Sequence, residues 1–237
     1  MEINFGREHD VYCVQWVALL EPKGEDMVKI KVQSNSGNRA FQEMKKAAVE
    51  RLQGKSIEQI AEKADVLLKR EQGFLELESL GQKIQIAYPS WELREELDPW
   101  HTLLLLHYLE IADGTPVSGE WVTFGNLKDG LIRGTGFDRT ADIELGKFLK
   151  GKDVEELKGI LDTLGARIVN GRADLSAELL LFPRYPFLLN LWMEDEEFPA
   201  AGKLLVDKSA DHYLTIEDAV TAGDVLLRRL KDAEHVK

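Results

Sequence analysis

The sequence predicts an α+β fold, a mixed, mainly antiparallel sheet packed against a buried central helix and several amphipathic helices. Three observations predict it. Helical and strand periodicities interleave along the chain. Several strand candidates are joined by connections too short for a parallel crossover, so they pair antiparallel. One helix, starting at Asp98, is apolar on every side, the pattern of a helix enclosed by protein.

The elements follow in order. Val11 to Leu20 is rich in β-branched and aromatic residues, Glu21-Pro22-Lys23-Gly24 is a turn signal, and Val28, Ile30 and Val32 alternate with polar residues. Residues 1–38 thus form a predicted β-hairpin extension, and 39–237 a single α+β domain. In that domain Phe41, Met44, Ala48 and Leu52 share a helical face. Ser56 caps a second helix with Gln59 in the capping-box position. Leu75 and Leu77, then Ile84 and Ile86, alternate with polar residues around Gly81, which predicts a hairpin. Asp98 is a good N-cap, Pro99 fits the first helical position, and Gly114 can end the central helix in left-handed conformation. A short strand is predicted over Glu120 to Phe124, and helices over Ile143 to Leu149 and Val154 to Leu164. Strands follow at Ala177 to Phe182, Phe187 to Met193 and Lys203 to Val206. Thr215 then caps the last helix.

Composition narrows the function classes. The chain has 237 residues, 44% hydrophobic, with a formal net charge of −12 and a single cysteine, Cys13. An acidic surface repels phosphate backbones, so no nucleic acid partner is expected. Arg228, Arg229 and Lys231 form a small basic cluster, which suits the last turn of a helix. One cysteine rules out a disulfide, a thiolate zinc site or a cysteine-ligated iron–sulfur cluster within the chain. The apolar block Leu103 to Leu106 is far short of the roughly 20 residues of a membrane span. No signal-peptide pattern opens the sequence, so a cytoplasmic location is expected.

No complete catalytic motif occurs. Gly54-Lys55-Ser56 ends like a phosphate-binding loop, but Val49 stands where the first glycine is required. Gly130, Gly134 and Gly136 miss the dinucleotide spacing. Single residues remain. His107 lies on the apolar central helix with Glu110 nearby, and reads either as half of a metal or acid–base site or as a structural histidine. His101 and His107 point about 120° apart and make no metal pair. Asp207, Asp211 and His212 follow a strand and could hold a divalent ion, although such residues also cap turns. Arg184, between Pro183 and Pro186, suits an anion clamp or a structural pair with an acid such as Glu120. Glu194 to Glu197 is an acidic run without calcium-loop spacing and reads as a solvated turn.

Two stretches carry a resemblance. One runs from Leu105-Leu106-His107-Tyr108-Leu109 through Ala112-Asp113-Gly114-Thr115-Pro116 to Gly119-Glu120-Trp121-Val122-Thr123-Phe124. The other runs from Phe182-Pro183-Arg184-Tyr185-Pro186 through Asp195-Glu196-Glu197-Phe198-Pro199, Asp207 and His212-Tyr213-Leu214 to Glu217-Asp218. Over about residues 40 to 230 the chain resembles the prokaryotic family catalogued as domain of unknown function 3786. The resemblance implies a setting in anaerobes, where some members are similar to fusions with a four-cysteine iron–sulfur domain that this chain lacks. It also implies that His107, Glu120, Arg184, Asp207 and His212 share one ligand pocket. The expected function is a non-catalytic ligand-binding or accessory module in anaerobic, redox-linked metabolism. Its partner would be a small anionic ligand or an iron–sulfur redox protein. The alternatives are a metal-assisted hydrolase or lyase on His107 and His212, with a divalent metal, and a protein–protein adaptor.

Overall fold

The computed structural model describes residues 39–234. The expected hairpin at 1–38 lies outside the described residues. Within them the architecture is α+β, as the sequence predicts, but the strands divide into two antiparallel sheets. The first contains β1 (Leu67–Lys69), β2 (Phe74–Ser79) and β3 (Gln82–Ala87) in that order. The second contains β4 (Trp121–Val122), β5 (Arg167–Val169), β6 (Leu175–Phe182), β7 (Tyr185–Trp192) and β8 (Ala201–Asp207), in the order β4-β8-β7-β6-β5.

Six α-helices among the described residues complete the fold: α1 (Arg39–Gln53), α2 (Ile57–Ala64), α3 (Pro99–Ile111), α4 (Arg133–Leu149), α5 (Val154–Thr163) and α6 (Ile216–Glu234). Capping explains where several start. Ser56 Oγ accepts from the Gln59 amide at 3.4 Å, Asp153 Oδ1 from the Glu156 amide at 2.8 Å, and Asp98 Oδ1 from the amides of Trp100 at 2.9 Å and His101 at 3.2 Å. Each cap satisfies donors that a helix start leaves open.

The central helix is α3. Leu103, Leu104, Leu105, Leu106, Tyr108 and Leu109 are all buried on it. It is not enclosed on every side, however: Trp100, Thr102, His107 and Glu110 keep partial exposure. Tyr108 ties the helix to its surroundings by donating from its hydroxyl to the Ala64 carbonyl at 2.7 Å and stacking near Phe182 and Tyr213.

The two sheets meet at one joint. The Leu80 amide donates to the Leu180 carbonyl at 2.8 Å, so the tip of the β2–β3 hairpin bonds to β6. Gly81 (φ +72) sits there against Gly165 (φ +66), and a Cβ on Gly81 would meet the Gly165 nitrogen at 2.7 Å. Only glycine allows both the left-handed turn and this backbone approach.

Two sequence expectations are corrected. The strand expected over 120–124 is only the two residues of β4, because Phe124 enters a 3-10 turn (Phe124–Asn126) that packs on α4. The helix expected from Ile143 begins ten residues earlier, at Arg133. Glycines at 134 and 136 hid that start, yet Gly134 is where α4 touches the Phe124 carbonyl most closely.

Candidate functional site

Four of the five expected pocket residues gather on one loop, residues 112–120, which leaves α3 and enters β4. The loop is held from several sides. Its first clasp is Asp207, at the end of β8. Asp207 Oδ1 accepts from the Ser118 amide (3.0 Å), Ser118 Oγ (2.9 Å), the Ser209 amide (2.9 Å) and Ser209 Oγ (2.6 Å), while Oδ2 accepts from the Gly119 amide at 2.7 Å. The carboxylate is wholly buried. Burial pushes its pKa up, but the hydroxyl and amide donors of Ser209 and Ser118 outweigh this and leave it below the usual aspartate value. A carboxylate with five donors is a structural clasp, not an open metal ligand.

Arg184 is the second clasp. It occupies the two-residue β6–β7 connection, and its amide donates to Tyr108 Oη at 3.1 Å. Its Nη1 donates to the Gly114 carbonyl at 2.9 Å. The expected pairing with Glu120 is not made. Arg184 faces Asp65, with Nε 3.6 Å from Oδ2, because Asp65 closes α2 beside this connection. Tyr213 adds a third tie by donating from its hydroxyl to the Thr115 carbonyl. Burial raises the Tyr213 pKa, which keeps that proton in place.

Glu120 lies on the surface. It pairs with Lys208, Oε2 to Nζ at 2.8 Å, with side chains 66% and 62% exposed, so the pair contributes little. The two backbones also bond, the Lys208 amide donating to the Glu120 carbonyl at 2.8 Å.

His212 is the exposed member. It ends the short 3-10 segment after β8, and its Nδ1 lies 2.7 Å from Asp113 Oδ2 and 3.1 Å from Thr115 Oγ1. The bond from His212, aided by the Thr115 amide, holds the Asp113 carboxyl at about 2. Asp113 is therefore an acceptor only, and Nδ1 of His212 carries the proton. Nε2 of His212 is 3.9 Å from Asp211 Oδ1.

His107 stands apart from this loop. Its Nδ1 is 2.9 Å from Asp218 Oδ1 in the first turn of α6, and Asp218 Oδ2 accepts from Thr215 Oγ1 at 2.8 Å. The expected companion Glu110 binds Arg51 instead, at 2.5 Å, since the projection that puts Glu110 near His107 also turns it toward α1. His107 thus joins α3 to α6 rather than facing Arg184.

Sequence reasoning missed Asp113, Thr115, Tyr213 and Asp218 as partners. The Asp113-Gly114-Thr115-Pro116 turn signal and the helix-start position of Asp218 were the available clues. It also missed a buried pair: Ser79 Oγ lies 2.7 Å from His101 Nε2, with His101 only 3% exposed. Burial, and then the charge of Arg229, push the His101 pKa down to about 4.

Among the described residues no group of three or more His, Cys, Asp or Glu side chains is placed to hold a metal ion. No helix in them is long and apolar enough to cross a membrane. Two open grooves lie elsewhere, one of about 260 Å³ beside Trp91 and Tyr88, one of about 640 Å³ on the first sheet beside Lys83 and Arg94.

No curated protein and no solved structure matches the chain. A family model does: the one described as Domain of unknown function (DUF3786) matches residues 56–229, from the cap of α2 to the last turns of α6 and through every clasp above. The chain belongs to the DUF3786 family.

Proposed function

We propose that the chain is a non-catalytic accessory module that docks a redox partner through the 112–120 loop. One observation carries this. The chemically capable residues around the loop are used to fix its shape: Asp207, Arg184 and Tyr213 all bond inward to it. What remains outward is a rigid surface with Val117 41% exposed and the Asp113–His212 pair about half exposed. A loop held this firmly loses little entropy on binding, which favours recognition. The resemblance of some family members to fusions with a four-cysteine iron–sulfur domain supports a redox partner in anaerobic metabolism.

The test is capture from native anaerobic extract with wild-type chain and with Val117→Asp and His212→Ala. The expected result is a cluster-bearing protein that the wild type retains and both variants lose, while all three stay folded. Retention by the variants overturns the loop as the contact surface. Elemental analysis of untagged, anaerobically purified protein checks the enzyme alternative, which a stoichiometric transition metal would favour.

The adaptor reading has its own observation. Leu131 and Ile132 are adjacent and 80% and 83% exposed, ahead of α4. Side-by-side aliphatics at such exposure suit a protein contact. Loss of capture in Leu131→Asp, with retention in Val117→Asp, would favour it.

A further inference from the structure

The pleat of the first sheet gathers a set of polar side chains on its outward face. Lys69 of β1 stands opposite Phe74 of β2, and Glu76 of β2 opposite Gln85 of β3. Residues two apart along a strand point to the same side, so Glu76 joins Phe74 and Lys83 joins Gln85. Cross-strand partners on one face lie within reach of each other. The distances agree. Glu76 Oε1 is 2.9 Å from Lys83 Nζ, and Glu76 Oε2 accepts from Gln85 Nε2 at 2.8 Å. Arg94 arrives from the stretch after β3, its amide donating to the Gln85 carbonyl and its Nη1 to Gln85 Oε1, both at 3.0 Å. Its guanidinium lies over the Phe74 ring, with Cζ 4.4 Å from the ring centroid.

These side chains line the open groove of about 640 Å³ on that face. Lys69, Lys83 and Arg94 stand there against one acid, Glu76, so positive charge is in excess on a chain of net charge −12. Glu76 is already engaged: the bonds from Lys83 and then Gln85 hold its carboxyl below the ordinary value, and the charge of Lys69 adds to this. Two further acids stand nearby and turn elsewhere. Glu95 Oε2 accepts from the Gln85 amide at 2.7 Å. Glu78 Oε1 lies toward the joint between the sheets, where a Cβ on Gly165 would meet it at 3.3 Å. Arg94 is the recognition element. Phe74 packs against its plane and Gln85 takes one of its N–H groups, so the fork is held in one orientation at the groove. Lys83 is less committed, since its side chain is 67% exposed and a surface pair of that kind is readily reshaped. A fixed guanidinium fork flanked by two ammonium groups matches the oxygens of phosphate and carboxylate. The groove also falls within the range of small-molecule sites, about 300–1,000 Å³, which leaves room for more than a bare ion.

We infer that this groove binds a small polyvalent oxyanion, the phosphate or carboxylate groups of a small molecule, with Arg94 as the fork and Lys69 and Lys83 as the flanking charges. The groove shares no residue with the 112–120 loop, goes beyond the docking function proposed for that loop and stands without it.

The experiment is a calorimetric titration of the full-length chain at neutral pH and constant ionic strength. Pyrophosphate is added in one series, citrate in a second and chloride in a third. The expected result is saturable binding of pyrophosphate or citrate and none of chloride, and the tighter of the two identifies the class of ligand. Arg94→Gln should weaken that binding about tenfold or more. Lys83→Gln, at an exposed position whose loss leaves the fold intact, should weaken it by a smaller factor. Lys128→Gln removes the same charge from an exposed position outside the groove and should bind as the wild type does. No saturable binding of either anion, or equal binding of chloride, overturns the site. An equal loss in Lys128→Gln overturns it as well, because net charge alone would then account for the binding. Unchanged binding in both Arg94→Gln and Lys83→Gln places the anion elsewhere and overturns it too. None of these titrations involves the redox partner, so this proposal and the docking proposal fail separately.

Discussion

Asp207 shows how a residue with catalytic chemistry serves as a joint. Its carboxylate is buried and accepts five hydrogen bonds, all from Ser118, Gly119 and Ser209. Asp207→Asn turns one acceptor atom into a donor facing other donors, and should cost about 2–4 kcal/mol, read as a lower midpoint in urea. The docking surface should weaken with it, since Ser118 and Gly119 lie in the loop. His101 gives a second prediction, with a sign. Its pKa is about 4 in the fold against an ordinary 6.5. The unfolded chain therefore binds the proton more readily. The stability tied to neutral His101 is fully present above the ordinary value and is lost as pH falls from there toward 4. The loss approaches about 3 kcal/mol at the acid end, because burial holds the imidazole at about 4 rather than 6.5. His101→Gln should flatten that part of the stability-against-pH curve; an unchanged slope would show that other groups carry it. The site was legible in the sequence only as a set of residue types. Arg184, Asp207, Glu120 and His212 do meet one loop. Their roles were not legible, because whether a carboxylate clasps amides or binds a ligand depends on which chain segment ends beside it. His107 misled for a related reason: its partner Asp218 is 111 residues away in sequence, whereas Glu110 was near only along the chain.

At the scale of elements, periodicity located most helices and strands to within a few residues, since burial on one face leaves a readable pattern. It failed where packing overrides propensity. The first half of α4 contains Gly134 and Gly136, which in a sequence look like a loop. In the structure they differ. A Cβ on Gly134 would meet the Phe124 carbonyl oxygen at 2.1 Å, whereas a Cβ on Gly136 would meet nothing within 4 Å. Gly134 is there because the 3-10 turn at Phe124 lies against the helix, its Phe124 and Gly125 amides held by Asp138 at 3.0 and 2.9 Å. Replacing an open helix glycine with alanine removes freedom from the unfolded chain. Gly136→Ala should therefore stabilise by about 0.5–1 kcal/mol. Gly134→Ala must push the turn away and should destabilise by about 2 kcal/mol or more. Thermal melts of the two variants check this, and equal shifts would mean that α4 does not touch the turn. The three-residue strands β1 and β5 were missed for a simpler reason: at that length no alternation can be recognised, and each forms only because a longer neighbour offers a free edge.

At the scale of the molecule, two sheets raise the question of whether the described region unfolds as one unit or two. The core argues for one. A single buried cluster runs from Ala48 and Leu52 of α1, through Leu75 and Ile84 of the first sheet and Leu104 to Leu106 of α3, to Leu179 and Phe187 of the second sheet and Leu230 of α6. The joint at Leu80 and Leu180 adds a backbone bond between the sheets, and α3 packs on both α1 and α6. Separating the sheets would expose the leucines of α3, each worth about 1.5–3 kcal/mol when fully buried, so a half-folded state would lose most of what stabilises either half. Tryptophans report on each side. Trp91 follows β3 and is 4% exposed, while Trp192 ends β7. In variants retaining one of these two as the sole tryptophan of the chain, urea unfolding followed by fluorescence should give the same midpoint and the same slope for both, coincident with loss of far-UV circular dichroism. Midpoints that part company, with Trp91 released first, would show the first sheet to be an independent layer. The joint at Gly81 and Gly165 would then be a hinge rather than part of one cooperative core.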